Sequence, residues 1–90
     1  MRRTVDEKLK YNEGRNSMFG TGYVLGVKNY RNYVRLDTVK KRSVDEIVCK
    51  AKKGVADPET DRDMQQLYKG ILCGIRDAAN ERKERKNRLP

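Results

Sequence analysis

Four acids at alternate positions, Asp57, Glu59, Asp61 and Asp63, come closest to a cation site in this sequence. Carboxylates at that density suit a hard cation, but the glycine and closing glutamate of a calcium loop do not follow. Placed around Pro58 and ahead of an apolar-periodic run, the acids read instead as the start of a helix: Asp57 as cap, Pro58 at the first helical position, and negative charge at the positive end of the dipole. Gly20-Thr21-Gly22 has the small residues of a phosphate loop, yet the lysine of a Walker motif is absent and Lys28 comes too late. There is no histidine, so the commonest general base is missing, and no carboxylate or lysine stands beside a plausible nucleophile. Cys49 and Cys73 are the only cysteines and form no CxxC pair. A zinc site would need carboxylates to complete it, so the expectation is two reduced, structural thiols in a cytoplasmic protein. These residues predict no enzyme, no catalytic group, no metal and no cofactor.

The chemistry that remains is charge. The chain has 90 residues, 22 Lys and Arg against 13 Asp and Glu, a net charge of +9, and 36% hydrophobic residues. That supports one domain with a thin core and leaves no room for a large enzyme cavity. A basic balance favours polyanionic partners: nucleic acid, an acidic protein surface or an anionic membrane. No apolar run reaches membrane-spanning length and the charged N-terminus lacks a signal-peptide core, so a membrane role is not expected. The charge is uneven. Residues 17–42 carry six bases and one acid, residues 82–90 five and one, and residues 57–81 three and six.

The elements that position this charge are helical. From Asp57 to about Arg85, Met64, Leu67, Tyr68, Ile71, Ile75, Ala78 and Ala79 recur at three- and four-residue intervals and define one apolar stripe. On the other side Arg62, Lys69, Arg76 and Lys83 fall seven apart, a basic line that drifts slowly round the outside. Thr4-Val5-Asp6-Glu7 has capping-box spacing and opens a short N-terminal helix that Gly14 can end. Asn16 or Ser17 caps a second long helix to about Leu36. Its Phe19, Gly22, Tyr23, Gly26, Val27, Tyr30, Tyr33 and Val34 face the core, and Lys28, Arg31 and Arg35 face away. A break at 37–42 contains Lys40, Lys41 and Arg42. Ser43-Val44-Asp45-Glu46 then caps a short helix that buries Val44, Ile47, Val48 and Ala51 and stops at Gly54. The fold class is therefore all-α: a small bundle of two long antiparallel helices, about 17–36 and 57–86, with a short N-terminal helix and a short connecting helix over 43–53. Residues 84–90 are expected to form a mobile basic tail.

An internal echo ties the long helices together. Gly22 to Asn29 and Gly70 to Asp77 share two glycines four apart, apolar residues after each, then a base and a short polar residue. If the echo is structural, Gly22, Gly26, Gly70 and Gly74 mark a helix crossing at which backbones touch. Self-association through such a face is the other use of the pattern.

Function is then read from shape and charge. Three bases on one helix face run into a basic loop, which predicts a small nucleic-acid-binding protein contacting phosphates through Lys28, Arg31, Arg35, Lys40, Lys41 and Arg42, with Arg82, Lys83, Arg85, Lys86 and Arg88 as a second contact. Specificity for sequence should be low, since only Asn32 accompanies them as a base-reading side chain. A helix-turn-helix made by 43–54 and the following helix has suitable lengths, but the acids at the start of that helix would meet phosphate. The competing class is a protein-binding inhibitor or adaptor that blocks or scaffolds a larger partner, such as a host nucleic-acid-processing or defence complex. Its motive is Val24, Leu25, Leu36 and Leu72, which lie off the main apolar arcs. Small size, high charge and a single domain give the composition a phage or mobile-element character.

Overall fold

The computed structural model describes residues 3–33 and 38–88, with the side chains of 33, 38–41, 43, 44 and 85–88 outside that description. Four helices make up the described chain, and no strand occurs among the described residues: α1 (Val5–Gly14), α2 (Met18–Tyr33), α3 (Thr38–Ala56) and α4 (Arg62–Arg88). No described helix is long and apolar enough to cross a membrane.

Local chemistry accounts for the helix starts. Thr4 caps α1, its Oγ1 accepting the Glu7 amide at 3.1 Å. The expected return bond from Glu7 to the Thr4 amide is replaced by one between side chains, the Thr4 hydroxyl donating to Glu7 Oε1 at 3.2 Å. Ser17 caps α2 by accepting the Gly20 amide at 3.0 Å, so Gly20 and Gly22 stand within a helix and not in a phosphate loop. Asp57 does not cap α4. Its side chain takes the Glu59 amide at 2.9 Å and its carbonyl takes the Thr60 amide at 3.2 Å, forming a turn before the helix. The helical ladder begins four residues later, where the Asp61 carbonyl accepts the Gln65 amide at 2.8 Å.

The centre of the molecule is the pairing of α2 with α4. A methyl group added at Gly22 would collide with the carbonyl of Leu67, at Gly26 with that of Ile71, at Gly70 with that of Phe19 and at Gly74 with that of Tyr23. The four contacts form a local two-fold arrangement, in which Phe19, Gly22, Tyr23 and Gly26 correspond in turn to Leu67, Gly70, Ile71 and Gly74. The internal echo is therefore one packing solution used from both sides. Each helical glycine costs about 1 kcal/mol in propensity relative to Ala. Close approach offsets this through dispersion and weak Cα–H to carbonyl contacts. Tyr23, Val27 and Ala78 are buried at the centre, with Val5, Leu9, Tyr30 and Cys73 packed around them.

The direction of this pair departs from the expectation. Gly22 lies against Leu67 and Gly26 against Ile71, so residue numbers rise together along both helices. Tyr23 reaches Asp77 and Arg31 reaches Glu81 in the same sense. The two helices run parallel, not antiparallel. The cause is α3, which begins at Thr38 and continues through Ala56, 19 residues in place of the short helix expected over 43–53. At 1.5 Å per residue it is about 28 Å long, enough to carry the chain back to the level where α2 began.

Two local signals on α3 were misleading. The capping box at Ser43 falls inside the helix, and Gly54 does not stop it: the Asp57 amide still donates to the Lys53 carbonyl at 3.0 Å. Gly54 is a packing residue, since any Cβ there would strike the Tyr68 ring. Ala51, on α3, is fully buried as expected, whereas Ile47, expected inside on the same helix, is 41% exposed. Of the residues expected on the core face, Val34 lies outside the described residues, and the side chains of Tyr33 and Val44 are likewise not described.

Candidate nucleic-acid interface

The expected site falls into three groups. Lys28 and Arg31 do not face open solvent alone, because α1 packs on that flank of α2. Arg31 Nη1 meets Asp6 Oδ1 at 2.9 Å, and its Nη2 meets both carboxylate oxygens of Glu81, at 3.2 and 2.9 Å. Burial lowers the Arg31 pKa, but the bonds and charges of Glu81 and Asp6 outweigh that and leave it raised, so the guanidinium is charged throughout. It ties α1, α2 and α4 together. Lys28 Nζ lies 3.4 Å from Glu13 Oε1, both well exposed, a pair of small energetic weight.

The second group, Arg42 on α3 and Arg82 and Lys83 on α4, is exposed to solvent. The third group lies outside the described side chains. Arg35 lies outside the described residues, and Lys40, Lys41, Arg85, Lys86 and Arg88 belong to helical backbone whose side chains are not described. The segment expected as a tail is thus helical to Arg88, and Lys40 to Arg42 lie in the opening turns of α3, not in a loop.

The basic line noted on the last helix is exposed along its whole length: Arg62, Lys69, Arg76 and Lys83 all face solvent. At the rise of an α-helix its members stand roughly 10 Å apart and the line runs roughly 30 Å. Arg76 alone of the four makes an ion pair among the described residues, its Nε 3.5 Å from Asp77 Oδ1. Of the apolar residues suggested for a protein partner, Leu25 is 45% exposed, Val24 and Leu72 are partly covered, and Leu36 is not described.

Asp77 joins α1, α2 and α4. Tyr23 Oη donates to its Oδ2 at 2.9 Å and Lys8 Nζ lies 3.3 Å from the same oxygen. Burial raises its pKa, but hydrogen bonds from Tyr23 and Lys8 and the charges of Lys8 and Arg76 outweigh burial and hold it below its ordinary 3.8. Tyr23 shifts upward, first through burial and then through the hydrogen bond and charge of Asp77. With a depressed folded value, Asp77 contributes stability that is complete above pH 3.8 and lost as pH falls through that lower value. Urea unfolding between about pH 2 and pH 6 should therefore show a steeper acid loss for the parent than for Asp77→Asn. Tyr23 acts at the other end, its contribution present below pH 10.0 and lost as the pH climbs toward its raised folded value.

No group of three or more metal-ligating side chains assembles among the described residues, and both cysteines are free, Cys49 exposed and Cys73 partly covered. The exposure of Cys49 removes it from the structural role expected of it. Sequence reasoning also passed over α1, where Tyr11 is 51% exposed between two arginines, the guanidinium carbons of Arg3 and Arg15 lying 5.4 and 5.3 Å from the ring centroid. The signal was present in Arg3, Lys10, Tyr11 and Arg15, but as a short helix without a basic run it attracts no notice. Compared with known protein families, curated proteins and solved structures, the chain matches none.

Proposed function

We propose that this protein binds nucleic acid through its phosphates, using the exposed line Arg62, Lys69, Arg76 and Lys83 with Arg82 beside it. The observation that carries the reading is that line. Its four cations are exposed along α4, and of them Arg76 alone takes part in an ion pair among the described residues, with Asp77. Phosphate groups regularly spaced along a strand fit a regularly spaced row of cations, and the contacts would be independent of base identity. Relative to the sequence-based expectation, the contact surface moves from α2 to α4, because α1 acids engage Lys28 and Arg31. The acids at the start of α4, Asp61 and Asp63, are exposed and argue against that helix entering a groove by its N-terminus.

The test is binding to labelled DNA and RNA as a function of salt. About four phosphate contacts predict a log–log slope near −3 to −4, which is roughly a hundredfold loss of affinity from about 50 to 200 mM salt. No binding at low ionic strength would remove the reading. Exposed Leu25 keeps a protein partner as the second reading, and a stoichiometric partner retained after nuclease treatment would favour it.

A further inference from the structure

The first helix carries charge that neither the core nor the α4 line uses. Lys8 turns inward to Asp77, but Lys10 and Arg15 are exposed and, with Arg3, have no ion pair among the described residues. Arg3, Glu7, Lys10 and Tyr11 line an open groove of about 440 Å³. In the groove two cations thus meet one acid, and that acid is engaged by the Thr4 hydroxyl at 3.2 Å. At the centre is the Tyr11 ring, half in water, with Arg3 and Arg15 over it.

An exposed ring held between guanidinium groups is shaped for a flat partner with anionic flanks. We infer that this face of α1 is a stacking platform for single-stranded nucleic acid: Tyr11 takes one unpaired base, and Arg3, Lys10 and Arg15 take the phosphates on either side. The inference rests on the phosphate-binding reading above. In the free protein the arginines satisfy the ring by cation–π contact. A bound strand replaces that contact with base stacking and frees both guanidinium groups for phosphate, where charge-assisted bonds are strong. A duplex cannot use the ring, because its bases are already stacked inside the helix. The platform therefore discriminates by strandedness and not by sequence.

The experiment compares fluorescein-labelled oligo(dT) with a labelled duplex of equal length, by anisotropy, for the parent, Tyr11→Phe and Tyr11→Ala. Tyr11→Ala should weaken oligo(dT) binding about tenfold, the effect of losing one base–aromatic stack, and leave the duplex within about twofold. Tyr11→Phe should bind oligo(dT) like the parent, and both variants should keep the parent melting temperature, since the ring is half-exposed. Unchanged oligo(dT) binding by Tyr11→Ala would overturn the platform and leave phosphate binding standing. An equal loss for single strand and duplex would overturn it as well. Competition by polyglutamate as effective as by unlabelled oligo(dT) would mark an acidic-polymer surface and do the same. A parent that binds neither probe would remove this inference and the phosphate reading together.

Discussion

Gly74→Ala destabilises the protein by about 2 to 3 kcal/mol, although alanine is the better helix former by about 1 kcal/mol. The added Cβ would meet the Tyr23 carbonyl and stand 3.0 Å from the Val27 amide nitrogen, both backbone atoms that no rotamer change can move. The helices must separate, and the parting also opens the contacts at Gly22, Gly26 and Gly70. A domain this small has roughly 3 to 5 kcal/mol in all, so Gly74→Leu should leave it largely unfolded at room temperature. Gly14→Ala is the control: a Cβ there has nothing within 4 Å, so propensity acts alone and stability is kept or raised. Thermal circular dichroism reads all three, and a Gly74→Ala variant as stable as the parent contradicts the crossing.

Arg31→Glu should act on the fold before it acts on any ligand. The substitution sets a carboxylate against Asp6 and Glu81 where a guanidinium joined them, costing about 2 kcal/mol, or roughly 8 to 16 °C of melting temperature in a domain of this size. Adding Glu81→Arg should recover part of the loss, which a double-mutant cycle would show as coupling. No recovery would mean that the pair is incidental. For the same reason, charge reversal at Arg31 would confound a loss of binding with a loss of fold, whereas reversal at exposed Lys69 or Lys83 would not.

What could be read before the structure was the content of each helix more than its neighbours. The apolar stripe of α4 and the glycine face of α2 lie where periodicity places them, because each helix buries one dominant face. The parallel sense of the pair was hidden in the length of α3. Ser43 and Gly54 imitate helix boundaries, and a helix-capping pattern carries no information on whether packing will override it. The role of Arg31 was hidden for a related reason. A helical wheel shows what faces away from one partner, and α1 covers the other flank of α2 with acids whose position only tertiary structure supplies. The exposed line on α4 was visible in the seven-residue spacing, and all four of its side chains are exposed as that spacing implies.

The most direct test of the functional reading is the affinity of Lys69→Glu with Lys83→Glu for a labelled nucleic acid, measured against salt beside Lys28→Glu. Lys69 and Lys83 are exposed and have no ion pair among the described residues, so the double variant should melt like the parent. It should bind at least tenfold more weakly at low salt, with a log–log slope flatter by about 2, and Lys28→Glu should fall much less. Parent-like affinity and slope in the double variant, with loss in Lys28→Glu, would contradict the assignment of the binding surface to α4.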